Sequence, residues 1–567
     1  LRRRLPVDGG ESVSLRAKIR ALADDKTNLA LAPLALGIFV ACWWGLPNTD
    51  TWSADSVSPR TCGLGAIVET YWPGHFHNYP PLHTAILTVF SLPWILLAMA
   101  RVGTSPDALN AELVKPLYMT AIEASARLVA AAMALATVWL VKDLWTRLVS
   151  KRAGVVAALI VATNATYVYY AHLGNLEVPY LFWLALALRE MDRVMCGEAR
   201  EKHVMLIAAA AALTKDQAAA ALLIPIPVAL ALVPKIYENK PIFRRNLIVS
   251  VALAAAVFAL ASGMVTNPSG YHKRLDYLFG PASKPWAEVP PGAYGSLLLM
   301  RDAIFAISKF TSWPIAIAAA IGLGLAMSQK RGVDRARILM PAIAATSFWI
   351  FFNLGARRTE DRFLLPASLF LLPYASVLFD VAAQKWNAFG TPMLAALSIA
   401  SAPAIYGVVV IDASMLEDPR YAAEKWLEAL PAGAHVEVYG SAQYLPRLPS
   451  HLIYARPGIE PLGDRRLIPN VTEILDRDLD PAKRNPKVIV LATELSTEGM
   501  TSEVSGPLPP SWMAYRDPKS HAFFRGLRNG ALGYDRTFVA TCALPRGAAC
   551  REIHHSTGGE VWIYERR

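Results

Sequence analysis

Charge is scarce in this chain: 18% of its 567 residues are Asp, Glu, Lys or Arg, against 54% hydrophobic, with a mean hydropathy of +0.31. Apolar runs of 18 or more residues recur from residue 29 to about 411, which is the pattern of a polytopic membrane protein. There is no glycine-rich phosphate loop, no nucleophile elbow and no Cys–His pair. Nor is there an internal repeat, a low-complexity tract or a nucleic-acid module. The net charge of +11 could suggest nucleic acid, but the basic residues lie mainly in short loops between apolar spans, where they act as orientation signals. The start, LRRRLPVDGGESVSLRAKIR, is basic but lacks a short apolar core ending in a small-residue cleavage site, so it reads as a cytoplasmic arm. Cysteine is sparse as well. Of the five, Cys42 and Cys196 sit in or beside apolar spans and Cys62 in a polar loop. Cys542 and Cys550 lie close enough to form a disulfide if that end is extracytoplasmic.

Spans are expected at about 29–46, 118–140, 154–171, 178–195, 246–265, 313–328, 338–354, 364–383 and 391–411. Two short ones are expected within 204–234, interrupted at Leu213-Thr214-Lys215-Asp216-Gln217. Residues 80–100 are apolar enough to cross but open with two prolines and contain Pro93. If they do not cross, loops 141–153, 189–203, 235–245 and 329–337, each with four Lys or Arg, all fall on the N-terminal side, as cytoplasmic loops should. That places 80–100 flat in the outer interface. It gives an all-α membrane domain of eleven helices at 29–411, after an arm at 1–28, with interfacial helices in a first outer loop at 47–117. From 412 to 567 the character changes. YAAEKWLEALPAGAHVEVYG reads as helix, Pro-Gly turn and strand, and PKVIVLAT as a buried strand, so the tail is expected to be an extracytoplasmic α/β domain.

Topology makes the polar residues at the outer lip candidates for chemistry. Asp50 reads as a span-end cap. Asp55, amid Trp, Tyr and His, is either a cap or a member of a site, and Glu177 is either the start of a helix, with Pro179 following, or a second carboxylate of that site. In NLGARRTEDRFLLP, residues 353–366, Arg357, Arg358 and Arg362 stand outside against the positive-inside tendency. They pair with Glu360 and Asp361, contact lipid headgroups, or clamp a phosphate. His272, Lys273 and Arg274 add a second basic cluster on that side. Carboxylates and cations together near the membrane surface suit a lipid phosphate with a polar head. His75, His77 and His83 match no compact zinc spacing. Asp55 and Glu177 could hold a divalent metal ion through oxygens if they meet.

In this order of motifs the chain resembles the GT-C superfamily of polytopic glycosyltransferases, in the branch of the protein mannosyltransferases and the lipid A aminoarabinose transferases. WSADSVSPR followed by YPPLH is similar to the acidic and Pro-Pro-Leu motifs, which puts the catalytic carboxylate on Asp55. IEASARLVAAAMALATVWLV resembles the second span with its arginine at Arg127. HLGNLEVPYLFW is similar to the third-span exit, with Glu177 where the family usually has Asp. ALTKDQ resembles the Thr-Lys-Gly motif, Asp216 replacing glycine after Lys215, and RRTEDRFLLPA resembles Arg-Tyr-Leu-Leu-Pro, Phe363 replacing tyrosine.

The likeness covers 29 to about 411, and the tail resembles those of bacterial members. It implies an inverting transferase of the bacterial inner or plasma membrane that takes a sugar from a polyprenyl-phosphate donor to an acceptor hydroxyl on the extracytoplasmic face. The acceptor, whether protein, lipid or glycan, is left open. Asp55 would take or orient the acceptor proton, and Glu177 would orient sugar or acceptor. Arg357, Arg358, Arg362, Lys273, Arg274, Lys215 and Arg127 would face the donor phosphate, while Tyr79, His83, His172 and Asn175 line the pocket. Two rival readings are a lipid-linked-sugar flippase, which would show broken helices or mid-span charge, and an inactive GT-C-like subunit of a membrane complex.

Overall fold

A computed structural model describes residues 37–38, 40–53, 56, 63–232, 240–329, 332–385, 390–458, 468–492, 495, 518–541 and 560–567. Asp55, Cys62, Cys542 and Cys550, and the N-terminal arm, lie outside the described residues.

The helices begin where the sequence supplies a cap or a proline whose missing N–H is not needed in the first turn. Apart from two short helices, Pro106–Leu113 and Ile307–Phe310, they are in chain order α1 Leu64–Tyr71, α2 Pro81–Val102, α3 Pro116–Leu148, α4 Lys151–Ala162, α5 Ala165–Ala171 and α6 Glu177–Met195. Next come α7 Glu201–Thr214, α8 Ala218–Leu222, α9 Pro225–Leu232, α10 Lys240–Ala261, α11 Pro268–Phe279 and α12 Ala293–Phe305. The membrane part closes with α13 Trp313–Gln329, α14 Gly332–Phe348, α15 Asp361–Leu371, α16 Ala375–Lys385 and α17 Gly390–Leu416. Ser150 caps α4 by accepting from the Ala153 amide, and Asn164 caps α5 from the Tyr167 amide. Pro81, Pro116 and Pro268 each stand in a first turn.

Among the described residues, five helices are long and apolar enough to cross a membrane, or seven if each of two bent pairs is one span, where the sequence reading expects eleven. Part of the difference lies at breaks in apolar runs, and part outside the described residues, where half of the run expected at 29–46 falls. The run expected as one span at 154–171 bends by 69° at the Asn164 cap, and the chain turns by 116° between Ala293–Phe310 and Trp313–Ser328. The interruption expected at 213–217 is present, separating α7 from α8. Pro93 lies inside the continuous 22-residue α2, which has the length and composition of a crossing helix. It runs antiparallel to the first half of α3: Leu87 packs with Ala126 and Val129, and Trp94 Nε1 donates to Ser125 Oγ at 3.3 Å.

The tail forms a six-stranded sheet of order β3-β2-β1-β4-β6-β5, built from β1 His435–Tyr439, β2 Ile453–Gly458, β3 Val471–Leu475, β4 Val488–Leu491, β5 Tyr534–Ala540 and β6 Val561–Arg566. β1 to β4 pair in parallel, and β6 and β5 add an antiparallel edge. The expected helix and strands are α18 Pro419–Glu428, β1 and β4. Ala423 and Leu427 of α18 cover one face, and Phe523, Phe524 and Leu527 of α19 Pro518–Arg528 cover the other. Burial on both faces explains why β4 reads as an uninterrupted apolar run.

Candidate active site

The bundle has two polar ends. At one, the basic loops meet in a knot: Asp192 Oδ2 accepts from Arg147 Nε at 2.7 Å and Oδ1 from Arg337 Nε at 2.7 Å. At the other, the loop between α5 and α6, His172 to Leu176, packs on the first half of α3. A side chain at Gly174 would put its Cβ 2.9 Å from that of Ala126, so only glycine permits this approach. The loop delivers Glu177 to the first turn of α6, where the helix dipole favours a carboxylate.

Glu177 is 3% exposed, and its Oε1 accepts from Lys215 Nζ at 2.5 Å. The break between α7 and α8 places that lysine, since Lys215 is the C-cap of α7. Its ammonium lies 5.2 Å from the Tyr180 ring centre and 5.7 Å from that of Phe363. Phe363 in turn has the Arg358 guanidinium at 4.5 Å and that of Arg362 at 4.9 Å. Glu360 bridges the two arginines, one oxygen on Arg358 Nη2 and the other 2.9 Å from Arg362 Nη2. Asn353, wholly buried, fixes the loop by donating to the Arg358 carbonyl at 2.9 Å. The structure therefore joins Glu177, Lys215, Arg358 and Arg362 in one cluster. The side-chain groups Asn175 Nδ2, Glu177 Oε2, Tyr180 Oη and Arg358 Nε are buried there with no hydrogen-bond partner. Each such group loses about 1–3 kcal/mol of solvation until something pairs with it.

The other expected residues are distributed around this cluster. Arg274, next in the same direction, pairs with Asp216; burial pushes that carboxyl up and the arginine opposes it. Arg274 and Tyr79 line one small pocket with His77, which contacts Glu69 at 3.0 Å. Lys273 donates to the Gly74 carbonyl at 2.9 Å, and Arg357, at φ 56°, donates to the Val289 carbonyl at 3.3 Å. His83 is fully buried, with neither ring nitrogen bonded. His172 is fully buried 3.3 Å from Asp412, and burial pushes its imidazole below the usual value.

Arg127 leaves the expected phosphate set. Its guanidinium is inaccessible and donates to Glu123 Oε1 at 2.8 Å and to the carbonyls of Cys42 at 2.9 Å and Trp44 at 2.6 Å. A weaker contact of 3.4 Å reaches Thr51 Oγ1. This is a bracket for the start of the first loop. Lys215 occupies one oxygen of Glu177; among the described residues no group of three or more His, Cys, Asp or Glu could hold a metal ion, and Asp55, the other expected ligand, lies outside them. The pairing of the arginines with Glu360 was one of the alternatives the sequence offered; Tyr180, and Phe363 as a platform, were not singled out. Tyr180 and Phe363 have a signal in sequence, since each stands one helical turn or less from a candidate charge.

No family model matches the sequence, and no curated protein matches it. Among solved structures, the chain is similar to an oligosaccharyltransferase of Archaeoglobus fulgidus, at 12% identity and a TM-score of 0.42 over 96% of this chain and 89% of that one. It is similar to ArnT of Cupriavidus metallidurans bound to undecaprenyl phosphate, at 14% identity and 0.41 over 86% and 97%. It is also similar to the mycobacterial arabinofuranosyltransferase AftD, at 15% identity and 0.38 over 95% of this chain and 41% of that one.

Proposed function

We propose that this chain is an integral-membrane glycosyltransferase of the GT-C kind that moves a sugar from a polyprenyl-phosphate donor to an acceptor hydroxyl on the extracytoplasmic face. The observation that carries the reading is the concentration of unpartnered buried polar atoms around a carboxylate, a lysine and two arginines, at the end of the bundle where the motif resemblance puts the chemistry.

A sugar joined through C1 to a lipid phosphate already has a good leaving group, so the protein must activate the acceptor and stabilise the departing phosphate. Asp55 takes the acceptor proton as oxygen attacks C1 from the face opposite the phosphate. The new C1–O bond forms as the C1–O(phosphate) bond breaks, and the phosphate leaves with the electron pair, inverting the centre. Arg358 and Arg362 receive the growing phosphate charge, and Lys215 extends that field. Glu177 Oε2, Asn175 and the Tyr180 hydroxyl orient sugar or acceptor hydroxyls. The test is transfer by purified protein in nanodiscs from a panel of labelled undecaprenyl- and dolichyl-phosphate sugars to envelope acceptors. Transfer abolished by Asp55→Asn, with donor binding kept, supports the reading. Wild-type turnover in that variant would remove it.

Transport of the lipid-linked sugar is the second reading, and the two bent helix pairs favour it, because transporters build sites at broken helices. Movement of labelled donor across proteoliposomes without any transfer would establish it.

A further inference from the structure

We infer that His77, Ser262 and Arg274 form a subsite for one hydroxyl of the donor sugar; the inference rests on the donor reading given above. All three residues are buried, and they line the small pocket beside Tyr79, Pro80 and Pro81. Its volume, about 10 Å³ to the centre of an oxygen-sized group, admits one such group. His77 Nε2, Ser262 Oγ and Arg274 Nε are each buried without a hydrogen-bond partner. Thr70, on the same wall, already donates from Oγ1 to the Ala66 carbonyl at 2.8 Å.

The hydrogen-bonding types of the three atoms define the ligand. A carboxylate only accepts, so the 3.0 Å contact with Glu69 Oε2 fixes a proton on His77 Nδ1, and the neutral ring keeps its lone pair on Nε2. Arg274 Nε only donates, and a serine hydroxyl does either. A hydroxyl group donates to the imidazole and accepts from the guanidinium at once. A carbonyl or bare phosphate oxygen has no proton for Nε2, and an ammonium has no lone pair for Arg274. The walls are set by Asn267, whose Nδ2 lies 3.1, 2.7 and 2.9 Å from the carbonyls of Thr70, Trp72 and His75, and whose Oδ1 accepts from the Gly74 and Gly270 amides at 3.0 Å. A Cβ at Gly270 would lie 1.9 Å from the His75 carbonyl, so glycine is needed for α11 to come this close. Arg274 also pairs through Nη2 with Asp216, the residue after Lys215, and Lys215 holds Glu177. Two successive ion pairs thus join the pocket to the cluster that the donor reading gives to phosphate and sugar. In a sugar linked through C1 to phosphate, the ring hydroxyls are the polar groups next to that phosphate, which selects the donor sugar over the acceptor.

The measurement is the dissociation constant of full-length protein in nanodiscs for undecaprenyl phosphate, bare or carrying mannose, glucose, galactose or arabinose, and for each monodeoxy form of the tightest-binding sugar lipid. His77→Phe is expected to weaken that sugar lipid about tenfold, with bare undecaprenyl phosphate bound within about twofold of wild type. Ser262→Ala removes a hydroxyl that has no partner, so folding is kept, and should weaken the sugar lipid about threefold. In wild type one deoxy form should bind about tenfold more weakly, and His77→Phe should show no further loss for that form, because substitution and deoxygenation remove the same bond. Losses that add for every deoxy form in both variants, or equal losses for bare and sugar-bearing lipid, overturn the inference. So does a set in which no sugar raises affinity above that of undecaprenyl phosphate; the pocket then holds water only. A coupled hydroxyl without transfer to any acceptor removes the transferase and keeps the subsite, whereas transfer with additive losses does the opposite.

Discussion

The bundle buries charge at both ends, and the two ends treat it differently. In the Asp192 knot each carboxylate oxygen has an arginine, and among the described residues none of the side-chain atoms of Arg147, Asp192 or Arg337 is buried without a partner. Around Glu177 the pairing stops halfway: one oxygen holds Lys215, and the other is buried with nothing to bond. Buried charge by itself therefore does not distinguish a brace from a site, and neither does one spare oxygen, since Glu123 Oε2 beside Arg127 is also unpartnered; the Glu177 end is marked by several such atoms together.

The contrast is broken most directly at the first loop. Asp55→Asn is expected to reduce transfer by about 10²–10⁴-fold with unchanged melting temperature, read as product formed per enzyme in nanodiscs. Glu177→Gln, which keeps the shape and a bond to Lys215, should reduce turnover about a hundredfold while leaving stability within about 1 kcal/mol, the net value of one hydrogen bond. Asp192→Ala should do the reverse. Arg147 and Arg337, both part-buried, lose their buried partner but keep Glu198 and Asp334, so stability falls by about 1–3 kcal/mol, while the folded fraction keeps the wild-type donor KM; a raised KM would show that the knot is coupled to the site.

A smaller effect sharpens the phosphate assignment. Glu360 now balances Arg358 and Arg362, so an incoming phosphate competes with it, and Glu360→Gln should lower donor KM about two- to fivefold; a raised KM would mean that Glu360 aligns the arginines for the donor. The smallest effect concerns pH. The Arg484 guanidinium beside Asp476 holds that carboxyl below its usual 3.8, despite burial acting the other way. The bond thus contributes stability that is complete above about pH 5 and is lost as pH falls below about 4. Thermal melts between pH 6 and 3 should fall less steeply in Asp476→Asn than in wild type.

Much of the scaffold is readable along the chain because membrane spans and buried strands are local patterns. The break at Lys215 is visible as polar residues within an apolar run, and β4 as a strand with no polar face. The count of spans is less readable. Asn164 sits unremarkably in an apolar run, yet it caps a new helix and bends the path, whereas Pro93, which looks like a breaker, is carried within a helix. Site residues are legible as types but not as neighbours. That Glu177 meets Lys215, 38 positions away, is a product of packing. Arg127 shows the opposite failure: a buried arginine in the right motif turns out to serve backbone carbonyls, and the sequence offers no sign of which acceptors it will find.

Phe363 adds a consequence of its own. Three cations surround this one neutral ring, and the negative face of its π-system screens part of their mutual repulsion. An acidic side chain in that place would do so more strongly, but it would also repel the phosphate that the cations are there to attract. A quadrupole acts over a short range and carries no net charge. The ring can therefore hold the three cations together up close while leaving their combined positive field intact a few ångströms away, where an anion would approach.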